Sequence, residues 1–197
     1  NSKSSLKINI LGISAKSKNK ERIFNIKNYT WFDDPMDMVH LERCDIIVEL
    51  IGQEKGVSYD LINLALNHKK HVVTGNKALI ANHGNDLFKL AENNSIALSF
   101  EAAVAGGIPI IKTIKNDIAL NKIIKISGIL NGTTNYILTK MEEENLSFDN
   151  VLDIAKNKGY TSDNEAQLDI GGHDAAHKLT IVSTLCFGSN LNFNQNY

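Results

Sequence analysis

An alternation of short β-branched runs with helix-spaced segments is the feature that most restricts how this chain folds. Asp45-Ile46-Ile47-Val48-Glu49-Leu50-Ile51-Gly52 is an apolar run ended by glycine, as expected of a strand buried on both faces of a parallel sheet. Residues 57–68 then read as an amphipathic helix. Lys70-His71-Val72-Val73-Thr74 follows as a strand, 78–94 as a helix with a break near Gly84, and Ile96-Ala97-Leu98-Ser99-Phe100 as another strand. Upstream, 6–13 is a partly alternating strand that leads into the basic loop 14–22. Trp31-Phe32-Asp33-Asp34-Pro35 is a short strand running into a helix start, with an Asp as cap and Pro35 in the first turn. Strands joined by helical crossovers predict a doubly wound parallel sheet whose ligand site lies at the carboxyl ends of the strands. Those ends carry Gly52, Thr74-Gly75-Asn76-Lys77 and Glu101.

After Glu101 the sequence turns small and glycine-rich, which places a domain boundary here: an α/β domain over 1–103 and a second domain over 104–197. In the second part a helix is expected to about residue 119. The alternating run 122–130 reads as a strand, and Asn131-Gly132-Thr133-Thr134-Asn135 as a loop. Helices are expected over 136–144, 148–158 and 173–186, with a polar loop from 159 to 172.

The charge balance, 21 Lys+Arg against 22 Asp+Glu in 197 residues, lacks the basic surplus that phosphate-backbone affinity requires, so nucleic acid is not an expected partner. Two isolated cysteines, Cys44 and Cys186, suit a reducing, cytoplasmic setting rather than a disulfide framework. No apolar run approaches the ~20 residues of a membrane-spanning helix. The polar start without an initiator Met suggests that the sequence begins inside a longer protein.

Chemistry concentrates in Asp169-Ile170-Gly171-Gly172-His173-Asp174-Ala175-Ala176-His177-Lys178. Asp174 and Lys178 stand at i,i+4 on one helix face, which by itself fits a solvated ion pair. The glycine pair, the nearby Asp169 and the apolar continuation of the helix favour a partly desolvated Lys suited to proton transfer. His173 and His177 have the spacing of two zinc ligands but no Glu between them and no third ligand at a convincing distance. Lys77 puts a positive charge at the carboxyl edge of the sheet. Glu101 either caps a turn or, with nearby backbone carbonyls, holds a hard cation. Asn131 and Thr133 anchor a substrate carboxylate or cap a helix. A Gly-x-Gly-x-x-Gly dinucleotide turn is missing near the first strand, where Gly12 stands alone.

Four ordered motifs together resemble the homoserine dehydrogenase family: Val72-Val73-Thr74-Gly75-Asn76-Lys77-Ala78-Leu79, Phe100-Glu101-Ala102-Ala103-Val104-Ala105-Gly106-Gly107-Ile108-Pro109, Gly128-Ile129-Leu130-Asn131-Gly132-Thr133-Thr134-Asn135-Tyr136, and Asp174-Ala175-Ala176-His177-Lys178-Leu179. The resemblance implies a truncated Rossmann-like nucleotide-binding domain followed by an α+β catalytic domain. It also implies NADP- or NAD-dependent interconversion of L-aspartate 4-semialdehyde and L-homoserine, on the route to threonine, methionine and isoleucine. On this reading the first strand and its glycine-rich turn lie before Asn1, the closing strands lie after Tyr197, and the full-length protein is a homodimer.

The same resemblance implies site residues. Lys178 is the general acid/base, Lys77 lies beside the cofactor and reacting centre, and Asp174 and Asp169 bind substrate and position the lysine. Gly159 belongs to a loop that closes over the substrate, while Lys16, Lys18 and Gly52 serve the cofactor, the two lysines favouring NADP. Glu101 with the carbonyls of Val104, Gly106 and Ile108 would hold a monovalent cation, Na+ or K+. Where the family has Gly-Tyr-x-Glu followed by Pro, this chain reads Gly159-Tyr160-Thr161-Ser162-Asp163-Asn164-Glu165, one residue longer and without the Pro. The amine-binding glutamate falls on Ser162, with Asp163 and Glu165 as substitutes. That departure leaves two alternatives open: a non-catalytic nucleotide sensor or scaffold of the same fold, and an oxidoreductase for another amino-acid semialdehyde.

Overall fold

A computed structural model describes residues 7–190 and Phe193. The chain divides into two compact units, one of residues up to 74 plus 86–99 and one of 75–85 plus 100–197.

The first unit is α/β. A parallel pair joins β1 (Gly12–Ile13) to β2 (Thr30–Trp31), and a parallel three-stranded sheet has the order β3 (Ile46–Glu49), β4 (His71–Thr74), β5 (Leu98–Ser99). Between β2 and β3, a 3-10 helix over Pro35–His40 opens as expected, with Pro in the first turn and the Asp34 side chain accepting the Met36 N–H. Helix α1 (Val57–Asn67) packs on β3 and β4. Its Leu61, Ile62, Ala65 and Leu66 form one stripe that is essentially solvent-free, each large side chain contributing about 1.5–3 kcal/mol of burial.

Two expectations for this unit change. Of the strand expected over 6–13, Leu6 lies outside the described residues, and among the described ones only Gly12 and Ile13 pair, because a strand exists by its ladder and β2 meets just two residues. β3 is not buried on both faces: Ile47 and Glu49 are covered, whereas Ile46 and Val48 are 52% and 57% exposed. The strand lies at the end of its sheet and carries a cover on one side only.

Helix α2 (Lys77–Asn93) runs unbroken through Gly84. A mid-helix glycine costs about 1 kcal/mol relative to Ala, and burial of Leu79, Ile80, Leu87 and Ala91 along one face outweighs it. The buried Asn76 side chain accepts the Leu79 N–H and so fixes where the helix begins.

The described part of the second unit is helical. After a 3-10 turn at Glu101–Ala103 come α3 (Ile110–Lys112), continued as a π-helical turn over Thr113–Asp117, then α4 (Gly132–Glu144), α5 (Phe148–Asn157), α6 (Asp163–Ile170) and α7 (His173–Phe187). Helix α4 packs against α5 around Ile137, Val151 and Ala155, and α6 packs against α7.

Three expectations are corrected here. The run 122–130 forms no strand among the described residues. Its alternation is right, but Ile124 and Ile129 face solvent and no second strand supplies a ladder. Residues 131–135 are not a loop, since Asn131 caps α4 through its side chain. The polar loop 159–172 contains α6, built from good helix formers such as Glu165, Ala166, Gln167 and Leu168. No described helix is long and apolar enough to cross a membrane.

Candidate active site

The second unit gathers its polar residues around Asp174, the second residue of α7. The helix starts after Gly172, whose φ of 75° lies in the left-handed region that glycine accepts without penalty. Asp174 is 6% exposed. Lys178, one turn further along α7, donates to Asp174 Oδ2 at 2.8 Å and to the Leu130 carbonyl at 2.9 Å. Lys77, the first residue of α2, lies 2.8 Å from Asp174 Oδ1. One carboxylate is thus bracketed by two ammonium groups, the Lys178 side chain 19% exposed and that of Lys77 41%.

Asn131 completes the cluster. Its Nδ2 donates to Asp169 Oδ1 at 2.8 Å and to Asp174 Oδ2 at 2.9 Å, and its Oδ1 accepts the Thr134 N–H and hydroxyl. Two donor hydrogens and two acceptor lone pairs are the whole capacity of an amide side chain, so Asn131 is saturated inside the protein. Thr161 donates from its hydroxyl to Asp169 Oδ2 at 3.0 Å. Thr133 donates to the Tyr160 carbonyl at 3.0 Å, which ties the segment after Gly159 to the first turn of α4, and the Tyr136 and Tyr160 rings stack 4.4 Å apart beside it.

Burial alone would raise the Asp174 carboxyl above its ordinary value. The hydrogen bonds from Lys178, Lys77 and Asn131, together with the Lys178 charge, outweigh that and hold it below. Asp169 is different in kind, since among the described residues its carboxylate is met only by the neutral donors Asn131 and Thr161. An added ammonium group would therefore complete Asp169 rather than Asp174. The cluster offers a carboxylate for a cationic substrate group next to two ammonium donors suited to an oxygen that gains negative charge.

Of the residues singled out in the sequence, Lys77, Asn131, Asp169, Asp174 and Lys178 come together, with Thr133 two positions along. Gly159 has φ 75° with open space around a notional Cβ. Glu165 lies in α6, but its side chain is outside the described residues. Asp163 lies 2.7 Å from Lys156 and faces solvent. Glu101 accepts the N–H groups of Ile111 and Lys112 at 2.7 and 3.0 Å, which caps α3. Val104, Gly106 and Ile108 follow it, the Ile108 carbonyl accepting the Ile110 N–H. The His177 ring stacks on Phe193 at 4.2 Å.

In the first unit, Gly52 follows β3 with φ 82° and nothing within 4 Å of a notional Cβ, while Lys16 and Lys18 are exposed. Arg22 gathers the basic loop by donating to the carbonyls of Ser17, Lys18 and Lys20, and both Arg22 and Lys18 lie over the Trp31 ring. Sequence reasoning missed Thr161, Arg22 and Glu49. Glu49 had a signal, as a lone acidic residue inside an apolar strand requires donors. Thr161 and Arg22 had none: the partners of Arg22 are set by loop shape, and Thr161 meets Asp169 only through the course of α6.

Residues 1–101 match the family model for "Homoserine dehydrogenase, NAD binding domain", and residues 109–197 match the model for "Homoserine dehydrogenase". A homoserine dehydrogenase of Neisseria gonorrhoeae is 44% identical over 164 residues, covering 83% of this chain and 37% of that protein. The crystal structure of a homoserine dehydrogenase from Thiobacillus denitrificans superimposes with a TM-score of 0.79 at 43% identity, over 83% of this chain and 38% of that one. A hyperthermophilic archaeal homoserine dehydrogenase in complex with NADPH gives 0.72 at 30% identity, over 79% and 47%. The chain therefore spans less than half the length of these relatives.

Proposed function

The chain belongs to the homoserine dehydrogenase family, and from that premise we propose that its full-length form reduces L-aspartate 4-semialdehyde to L-homoserine with NADPH or NADH, reversibly, in threonine, methionine and isoleucine synthesis. Residues 1–103 take the dinucleotide and 104–197 take the substrate. The observation that carries this reading is the Asp174 carboxylate held between Lys77 and Lys178.

The bare, open Gly52 position and the exposed Lys16 and Lys18 fit a dinucleotide, the lysines suiting the extra phosphate of NADPH. When bound, the reduced nicotinamide supplies a hydride to the aldehyde carbon, whose oxygen becomes an alkoxide. Asp169 receives the substrate ammonium. Lys77 stabilises the developing negative charge, and Lys178 gives a proton from Nζ to the alkoxide oxygen, regaining one from solvent. Asp174 orients both lysines, and Asn131 and Thr133 hold the framework around them.

Glu101 and the carbonyls of Val104, Gly106 and Ile108 suit a monovalent cation, Na+ or K+, because each Glu101 oxygen keeps a further lone pair beside its backbone donor. No step is routed through that ion. The free thiols of Cys44 and Cys186 support a cytoplasmic setting. The exposed apolar residues of 120–129 support a homodimer of the full-length protein.

One observation favours a non-catalytic reading: Ser162 occupies the place of the amine-binding glutamate, and Asp163 turns to Lys156 instead. The deciding experiment is NADPH oxidation with aspartate 4-semialdehyde by the natural full-length protein carrying this sequence, beside its Lys178→Ala variant. The expected result is turnover that falls by about 10²–10⁴-fold in the variant while cofactor affinity holds. Cofactor binding without turnover in the unaltered protein overturns the catalytic reading in favour of the sensor. Turnover only with a different semialdehyde makes it a neighbouring oxidoreductase.

A further inference from the structure

The first unit contains a buried carboxylate that the reaction described above does not use. Glu49, the last residue of β3, is 1% exposed. Its Oε1 accepts the Ile51 N–H at 2.8 Å, the Gly52 N–H at 3.0 Å and the Ser58 hydroxyl at 3.0 Å, and its Oε2 accepts the Thr74 hydroxyl at 2.5 Å. Ser58 lies in the first turn of α1, and Thr74 stands directly opposite Glu49 in the ladder at the end of β4. One carboxylate thus joins three elements at the carboxyl edge of a parallel sheet, the edge where such sheets bind ligands.

The same contacts fix the direction of the backbone. Ser58 Oγ also accepts the Gln53 N–H, at 3.2 Å, so three successive N–H groups, at 51, 52 and 53, all turn inward. They are spent on the protein and are not available to a phosphate. What remains at Gly52 is a Cα with no side chain and open space where a side chain would stand. A glutamine could not do the same work in full, because one amide oxygen accepts on one side only while a carboxylate accepts on both.

We propose that Glu49 is a positioning residue for the nicotinamide dinucleotide, locking the turn 50–53 so that its N–H groups face inward and the bare Gly52 face meets an uncharged part of the cofactor. The proposal rests on the reading of the first unit as the dinucleotide site. It assigns Glu49 no contact with substrate or with the reacting atoms.

The test uses the natural full-length protein with Glu49→Ala, Glu49→Gln, Ser58→Ala and Thr74→Val. NADPH affinity is read from its fluorescence on titration, and the KM values for NADPH and for aspartate 4-semialdehyde are measured alongside a thermal melt. Loss of hydrogen bonds to a charged group predicts NADPH affinity about tenfold weaker in Glu49→Ala and about two- to threefold weaker in Ser58→Ala and Thr74→Val, with the semialdehyde KM unmoved. Glu49→Gln should recover most of the loss, since its oxygen keeps the Ile51 and Gly52 donors. A Glu49→Ala protein that melts lower but binds NADPH like the unaltered protein overturns the proposal and leaves a purely structural role. If that variant does not fold, unchanged NADPH affinity in both Ser58→Ala and Thr74→Val overturns it equally. Unaltered protein that binds NADPH without turnover defeats the catalytic reading yet leaves this affinity test intact, whereas absence of NADPH binding defeats both.

Discussion

Glu49 and Asp174 are both buried carboxylates, but they are satisfied by different kinds of donor. Glu49 is met by backbone N–H groups and hydroxyls, most of them within nine residues in sequence. Asp174 is met by two lysines and an amide, two of them far away in the chain. Neutral donors close in sequence fix the course of a backbone. Charged donors drawn from separate helices fix where charge will stand, which is what a reacting oxygen requires. The sharpest way to break this contrast is Asp174→Ala. Removal of the carboxylate leaves Lys77 and Lys178 facing each other without a counter-charge, and we expect turnover to fall by about 10²–10³-fold. Stability should fall by about 2 kcal/mol, the cost of breaking a buried pair discounted for the partial exposure of both lysines. Steady-state kinetics and denaturant melts check the two effects. Turnover within threefold of the unaltered protein would mean that the lysines need no common anchor.

Asn131→Asp tests the same cluster with a smaller expected effect. The amide donates to two carboxylates that would otherwise repel, so an acidic side chain there brings three carboxylates together. Turnover should drop by about tenfold to a hundredfold, with a matching rise in the semialdehyde KM as Asp169 is displaced. A rise in KM for NADPH instead would contradict the division of labour between the two units.

The acid response follows from Asp174 as well. Its folded value lies below the ordinary 3.8, so its contribution to stability is fully present above the unfolded value and is lost as pH falls through the lower folded one. Melting temperatures taken downward from about pH 5 should therefore fall less steeply below about pH 4 in Asp174→Asn than in the unaltered protein. Parallel curves would show that the two lysines do not select the ionised form.

What was legible in the sequence was local. The Asp34 cap and Pro35 turn, the apolar stripe of α1 and the Asp174–Lys178 pair each rest on neighbours within a turn or two, so spacing alone exposes them. The alternation at 122–130 was equally clear, yet a ladder depends on a second strand that spacing cannot supply. Burial of β3 on one face rather than two depended on what covers its sheet. In the site, Asn131 read as either an anchor or a cap. Its bonds to Asp169 and Asp174 span 38 and 43 residues, a closure that only the packing of α4, α6 and α7 creates. Thr161 lay hidden because the helix α6 that brings Asp169 back to it looked like a loop.

The smallest effect is expected at Asp163, and it decides which carboxylate receives the substrate ammonium. The family resemblance puts the amine-binding glutamate on Ser162 by spacing, with Asp163 and Glu165 as the acidic substitutes beside it. The Asp163 side chain instead lies 2.7 Å from Lys156, toward solvent, and the pairing lowers its pKa. An exposed pair of this kind is screened by water and adds little to stability, so Asp163→Asn should leave the melting temperature within about 1 °C. If Asp169 is the ammonium site, the semialdehyde KM of Asp163→Asn also stays within about twofold, while Asp169→Asn raises it by about tenfold or more through the loss of a charge-assisted bond. The reverse pattern would show that Asp163 leaves Lys156 when substrate arrives. The neutral donors around Asp169 would then be a structural clasp like those around Glu49, and the contrast between the two units would narrow to Lys77, Asp174 and Lys178 alone.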